Sequence, residues 1–294
     1  MSPLCLLLAS ALLIGDEPKV HVELQASTKL IAPGEVFELA VLLEYEPGWH
    51  VYWKNPGDSG FATTAQLSAP SGFTVEEPRY PAPVSFKQPG DLTCYGYEES
   101  ACLFIKVTAP EELRGDEFTF RATVQYLICD DVCFSGEVEV PIELKRSTEV
   151  EDTSSGYSEE VRAHAERLPR PLLSSWKQAH AKLTGQKKNP TLSLWLPDSA
   201  QPDSAQPDSA QPDSAKLKAM TADLFPAPLA GLSLGTPVIK REATGLEISV
   251  PCRFKVQKKQ PTPATEGVLS VKTENGEHHH LSFTAEWRAP ANPK

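Results

Sequence analysis

The most constraining feature of this 294-residue chain is an apolar run that ends in two cysteines. Residues 124–134 read Val-Gln-Tyr-Leu-Ile-Cys-Asp-Asp-Val-Cys-Phe, so three residues separate Cys129 from Cys133. In an extended strand their Cα atoms would lie roughly 13 Å apart at ~3.3 Å per residue, whereas a disulfide allows only ~4.4–6.8 Å. A disulfide therefore requires a turn between them. Asp130-Asp131 favours that turn, and the alternating run at 137–144 predicts a second strand after it.

A disulfide between these cysteines would close a very short loop. It would remove little chain entropy and would stabilise the fold less than a long-range bridge. Weak stabilisation suits a bridge that opens during thiol exchange, although a local structural staple is equally compatible with the spacing. Because Asp130 and Asp131 disfavour a thiolate at either sulfur, we expect the pair to be attacked by a partner's thiolate.

Composition narrows the class of protein. A chain of 294 residues with 40% apolar content can form two domains. The net charge of −11 argues against partners such as nucleic acid and against anionic membrane surfaces. The 27 prolines and many short alternating runs indicate β structure.

The N-terminus has the pattern of a secretory signal peptide, predicted at residues 1–15. Its apolar run at 4–14 is too short to span a bilayer, which takes about 20 residues. We expect an exported, periplasmic protein that is soluble, with no stable membrane insertion after export. The sequence leaves open whether the leader is cleaved.

The remaining chain predicts an all-β fold with two parts. Short strands and turns at 18–146 indicate an antiparallel sandwich of the immunoglobulin-like kind. A linker at 147–188 contains a predicted helix at 158–168, capped by Ser158, and a further helical turn around 173–183. A second, smaller β domain is predicted at 189–290. Four copies of Pro-Asp-Ser-Ala within 197–215 predict a disordered loop in this domain.

Four motifs in the first part resemble one known family. They are GWHVYWKNPGDSG (48–60), PRYPAP (78–83), YGYE (95–98) and YLICDDVC (126–133), in this order. Together they are similar to the N-terminal α domain of the thiol:disulfide interchange protein DsbD and its ScsB-type relatives.

This resemblance implies an immunoglobulin-like sandwich in the periplasm whose cysteine pair relays electrons to thioredoxin-fold partners. Cys129 and Cys133 match the catalytic redox pair, and the loop Tyr95-Gly96-Tyr97 matches a cap that shields it. No cofactor is implied. The membrane-embedded electron donor of the family is expected on a separate chain, because the sequence contains neither it nor a thioredoxin-like domain.

The other cysteines leave alternatives. Cys94 occupies the cap, where some relatives carry an aromatic residue, and a structural disulfide with Cys102 is preferred over exchange with the redox pair. Cys252 is predicted to be a buried strand residue. Tyr52 is either a core residue or a residue behind the cysteine pair, where its hydroxyl would tune the reactivity of the sulfurs.

Two functions from different classes of protein fit the sequence. The first is a protein-disulfide reductase that works through Cys129 and Cys133, for which replacing Cys133 with Ser is expected to trap a mixed disulfide on Cys129. The alternative is a non-catalytic module with a structural disulfide that binds a partner protein, copper or zinc. For metal, His278 to His280 are interpreted as a polar hairpin tip, and no metal site is predicted.

Overall fold

The computed structural model describes residues 20–147, 156–171, 180–186, 189–197, 219–227, 232–235, 237–254, 264–273, 276 and 278–286. The predicted signal peptide and all but the first residue of the predicted repeat loop lie outside these ranges. Within the described part of the chain, no helix is both long and apolar enough to cross a bilayer.

Residues 20–147 form a β-sandwich of two sheets. One sheet has the order β1-β3-β9-β6, and the other has the order β2-β11-β10-β4-β8-β7 with β5 also paired to β10. The strands are β1 Val20–Ala26, β2 Leu30–Ile31, β3 Val36–Tyr45, β4 His50–Gly57, β5 Thr64–Ser68, β6 Thr74–Val75, β7 Val84–Gln88, β8 Leu92–Glu98, β9 Ser100–Thr108, β10 Glu117–Cys129 and β11 Cys133–Arg146. This architecture confirms the predicted all-β, immunoglobulin-like fold.

Alternation along the strands separates the core from the surface. In β10, Phe118, Phe120, Ala122 and Val124 are buried, whereas Arg121 between them is exposed. A strand places successive side chains on opposite faces, so this pattern buries one face of the strand against the other sheet.

The centre of β3 is buried on both faces because a helix covers its outer side. The helix α1, Glu159–Glu166, begins after Ser158, whose hydroxyl accepts a hydrogen bond from the Val161 amide at 3.3 Å. Val161 packs on Ala40, Leu42, Cys102 and Phe104. The predicted helix and its Ser158 cap are therefore present, and they enclose a second apolar layer outside the sandwich.

The second part of the chain is also β structure, in sheets ordered β12-β20-β19-β15 and β13-β14-β18-β16, with β17 paired to β18. Its strands are β12 Arg170–Pro171, β13 His180–Gln186, β14 Asn189–Pro197, β15 Ala219–Pro226, β16 Leu232–Leu234, β17 Val238–Glu242, β18 Gly245–Phe254, β19 Ala264–Thr273 and β20 His278–Glu286.

The strands of this part begin earlier than the predicted boundary at residue 189. β12 pairs with β20, and β13 forms an antiparallel hairpin with β14, so both lie inside the predicted linker. The helical turn predicted around 173–183 is wrong for residues 180–183, whereas 172–179 lie outside the described residues. Pairing with β14 buries Leu183, which favours the strand over an isolated helical turn.

A phenylalanine of the second part inserts into the first. The Phe225 ring is buried with its centroid 6.3 Å from Trp53 and 5.5 Å from Tyr95. Beside it, the Asn55 side-chain amide donates to the Pro226 carbonyl at 2.9 Å. Phe225 thus packs behind β4 and β8, two neighbouring strands of the larger sheet.

Replacing Phe225 with Ala should lower the free energy of unfolding by about 3 kcal/mol, because a buried ring is lost from the junction. Urea unfolding of the whole chain measures this change. Phe61→Ala is a matched control, since Phe61 is 44% exposed and its loss should cost only about 0.5 kcal/mol. Equal effects of the two substitutions would show that Phe225 does not stabilise the junction.

We expect His164 to make the fold sensitive to acid. The side chain is buried; burial and the nearby Arg167 cation lower its pKa from 6.5 to about 4, and Glu160 acts in the opposite direction. Its Nε2 lies 3.0 Å from Ser100 Oγ, and its Nδ1 has no partner among the described residues. A second ring proton would therefore be buried without a hydrogen bond.

On acidification the unfolded chain takes up this proton at a higher pH than the folded chain does. The contribution of His164 to the free energy of unfolding is therefore fully present above about pH 6.5 and falls as the pH drops toward 4. Wild type should lose up to about 2 kcal/mol more than His164→Gln on acidification from about pH 7 to pH 5. Gln retains a partner for Ser100 and does not titrate. Parallel pH profiles of the free energy of unfolding would contradict this assignment.

Candidate redox site

The two cysteines of the sequence motif lie at the tip of the β10–β11 hairpin. Cys129 is the last residue of β10, Cys133 is the first of β11, and the two are register partners. A disulfide joins them, with a Cα–Cα distance of 4.2 Å. The Asp130 amide donates to the Val132 carbonyl at 3.0 Å, which closes the turn. The predicted turn between two strands is confirmed.

The two sulfur-bearing residues differ in exposure. Cys129 is fully buried, because β10 pairs there with His50 of β4, whereas Cys133 is exposed. An incoming thiolate would therefore reach the Cys133 sulfur before the Cys129 sulfur. This geometry disfavours the expected trapping of a mixed disulfide on Cys129 and makes Cys133 the accessible sulfur.

Tyr52 supplies a hydrogen-bond donor at the buried sulfur. Its hydroxyl lies 3.3 Å from Cys129 Sγ, and its side chain is fully buried. Tyr52 shares a face of β4 with His50, whose ring centroid lies 5.4 Å away, while Trp53 enters the sandwich core. Tyr52 is therefore a buried residue whose hydroxyl contacts a sulfur, and its tuning of sulfur reactivity stays a prediction.

The predicted cap residues lie on β8 and divide between its two faces. Cys94 packs with Tyr52 and Cys129 in one buried cluster. Tyr95 instead packs on Phe225, and the Tyr97 hydroxyl donates to the Pro81 carbonyl at 2.8 Å. Alternation along the strand therefore places Cys94 beside the disulfide and both tyrosines on the opposite face.

Gly96 allows β8 to approach β4 closely. A Cβ atom at this position would lie 2.1 Å from the Val51 carbonyl oxygen, which is a severe clash. The cap motif thus contributes a close backbone contact at Gly96 and a thiol at Cys94.

The predicted disulfide between Cys94 and Cys102 is wrong, because both are free thiols. β8 and β9 belong to different sheets, so Cys94 faces the redox hairpin while Cys102 packs under Val161 of α1. Burial raises the pKa of both thiols.

Cys252 is buried in β18, as predicted, and its thiol donates to the Val250 carbonyl at 3.4 Å.

His278 to His280 are the first residues of β20, so their prediction as a hairpin tip is wrong. They pair with Lys272, Val271 and Ser270 of β19. Among the residues that the structure describes, no three His, Cys, Asp or Glu side chains are grouped as metal ligands.

Sequence reasoning missed three residues of the site: His50, Phe86 and Gln88. Phe86 packs on the cluster of Tyr52, Cys94 and Cys129, and its ring centroid lies 4.4 Å from that of His50. The Gln88 amide contacts Tyr52 and Cys94. The sequence Val-Ser-Phe-Lys-Gln at 84–88 carries the signal, because Phe86 and Gln88 are two residues apart and share one strand face.

Burial lowers the pKa of His50 from its ordinary value, and the Asp130 carboxylate opposes this effect. The ring is therefore neutral near neutral pH, and one of its nitrogens can accept a hydrogen bond.

Comparison with known proteins identifies a family for the first β part. Residues 18–145 match the family described as thiol:disulfide interchange protein DsbD, N-terminal. No curated protein sequence matches the chain significantly.

Among solved structures, the N-terminal periplasmic domain of ScsB from Proteus mirabilis is similar at 14% identity, with 94% of each chain covered and a TM-score of 0.54. The reduced N-terminal domain of DsbD from Neisseria meningitidis matches at 13% identity over 42% of this chain and 83% of its own, with a TM-score of 0.28. The ScsB likeness extends over both β parts and supports the fold of each.

The free thiols provide a test of the cysteine assignment. In the oxidised protein, Cys94, Cys102 and Cys252 should resist alkylation while the chain is folded and react after denaturation, because all three are buried. Peptide mapping by mass spectrometry without reductant should find Cys129 joined to Cys133. A peptide that links Cys94 to Cys102 would contradict the structure.

Proposed function

Because residues 18–145 form a DsbD-type N-terminal domain, we propose that this protein exchanges thiols and disulfides through Cys129 and Cys133. The observation that carries the proposal is the asymmetry of the pair. One cysteine is exposed at a hairpin tip, and the sulfur of the other is buried against a phenol that can donate a hydrogen bond. Thiol exchange requires that one sulfur of the disulfide be open to attack by a thiolate and that the other sulfur leave as a thiolate.

The proposed reaction begins at Cys133. A partner's thiolate attacks Cys133 Sγ, a new S–S bond forms, and the Cys129–Cys133 bond breaks with its electron pair on Cys129 Sγ. The Tyr52 hydroxyl, 3.3 Å away, can donate to that thiolate. The partner's second thiolate then attacks the partner sulfur of the mixed disulfide and releases Cys133 as a thiolate. The partner becomes a disulfide, and this protein becomes a dithiol.

The reverse sequence passes the electrons onward. The Cys133 thiolate attacks the disulfide of an acceptor, and the Cys129 thiolate resolves the mixed disulfide by attacking Cys133 Sγ. We propose thioredoxin-fold proteins and a membrane-embedded electron donor as partners, in the periplasm or another oxidising compartment. The electrons move between sulfurs, so the reaction as proposed requires no cofactor.

Trapping tests this proposal. Cys133 of the variant Cys129→Ser is first converted to its mixed disulfide with thionitrobenzoate. A thioredoxin-fold protein whose resolving cysteine is replaced by Ser should then attack Cys133 Sγ, form a mixed disulfide through Cys133 and release thionitrobenzoate. The matched variant Cys133→Ser should accumulate at least about tenfold less, because its remaining sulfur is fully buried. Mass spectrometry of the adduct after non-reducing electrophoresis identifies the cysteine involved.

Two results would contradict the proposal. One is the absence of an adduct with Cys129→Ser across several thioredoxin-fold proteins. The other is a reduction potential of the wild-type pair below about −300 mV, which is typical of structural disulfides and would favour a non-catalytic binding module.

A further inference from the structure

Gln88, the last residue of β7, contacts three polar side chains of the site. Its Nε2 lies 2.6 Å from Tyr52 Oη and 3.1 Å from His50 Nε2, and its Oε1 lies 3.3 Å from Cys94 Sγ. A side-chain amide has two N–H donors and one carbonyl acceptor. In this arrangement the two N–H groups donate to Tyr52 and His50, and the carbonyl accepts from the Cys94 thiol.

The bond from Gln88 restricts the direction of the Tyr52 hydroxyl proton. A phenol has a single proton, and Oη already accepts a hydrogen bond from the amide of Gln88. The other partner that the described residues offer to Oη is Cys129 Sγ at 3.3 Å. The phenol therefore donates to the sulfur.

The direction of these hydrogen bonds depends on which way the Gln88 amide faces. If the Gln88 amide turned by half a rotation, its carbonyl would face Tyr52 and would take the phenol proton away from Cys129. Cys94 opposes that turn. Burial raises the pKa of the Cys94 thiol and keeps it protonated, so it donates a hydrogen bond, and the Gln88 carbonyl oxygen at 3.3 Å is nearer to Cys94 Sγ than the Ser59 carbonyl oxygen at 3.7 Å.

We propose that Gln88 is a positioning residue for thiol exchange. Cys94 orients the Gln88 amide, and the amide directs the Tyr52 proton to Cys129. The hydrogen bond then stabilises the Cys129 thiolate when the disulfide opens, since bonds to charged atoms are stronger than bonds to neutral ones. The inference rests on the proposed function in that Cys129 must leave as a thiolate. Cys94 thereby acts through the amide and not by exchange of its own sulfur.

The test measures the ionisation of the Cys129 thiol in the reduced full chain carrying Cys133→Ser. NMR of protein with isotope-labelled cysteine gives the ratio of thiolate to thiol at Cys129 from its Cβ chemical shift as the pH is varied. To this parent are added, one at a time, Gln88→Met, Cys94→Ala and Cys94→Ser. Ser retains a donor for the Gln88 carbonyl, so it is the matched control for Ala.

We expect Cys94→Ala to lower the thiolate-to-thiol ratio about fivefold at a pH below the midpoint, as for the loss of one hydrogen bond, because the Gln88 amide can then turn and accept the phenol proton. Gln88→Met should lower the ratio by less, because it removes the bond that restricts the phenol but supplies no competing carbonyl. Cys94→Ser should stay close to the parent. Adding Tyr52→Phe should abolish the differences among these variants, because the effect is transmitted through the phenol.

Unchanged ratios in both Gln88→Met and Cys94→Ala would overturn the proposal, as would differences that persist with Tyr52→Phe. If Gln88→Met fails to fold, judged by thermal unfolding, the Cys94→Ala and Cys94→Ser pair decides alone. The measurement involves no partner protein. Its failure is thus separate from a failure to trap a mixed disulfide, which would count against the proposed function itself.

Discussion

The register between β10 and β11 is the constraint on which the site depends. It places Cys129 directly opposite Cys133, so the disulfide joins residues that the backbone ladder already brings together. The same ladder sets the difference between the sulfurs, since Cys129 ends a strand with a second neighbour, β4, whereas Cys133 begins the strand on its outer side. Strand order thereby gives the two cysteines of the disulfide different exposure.

Strand alternation then decides which side chains reach the buried sulfur. On β4, His50 and Tyr52 share the face toward the disulfide, and on the β7–β8 hairpin, Gln88 and Cys94 meet them. These residues come from three strands that are consecutive in the sheet order. The polar network is thus a product of the sheet, and most of it is held by elements with regular hydrogen bonding and not by loops.

Much of this arrangement could be predicted from the sequence, because local patterns determine it. The Cys-Asp-Asp-Val-Cys turn, the alternation in β10 and the Ser158 cap each depend on residues close in the chain. The pairing of Cys94 with Cys102 failed, because sequence proximity does not reveal that β8 and β9 belong to different sheets. Gln88 was missed for a related reason, since its partners Tyr52 and His50 are 36 and 38 residues away and only the fold brings them together.

The contact of Phe225 with Tyr95 gives the second β part a mechanical relation to the site. Tyr95 is adjacent to Cys94 on β8, and its ring is braced from behind by a residue of β15. A rotation of the second part away from the first would withdraw this support and leave β8 held by its bonds to β4 and β7. The packing behind the strand that carries Cys94 is therefore provided partly by a region of the chain outside the first β part.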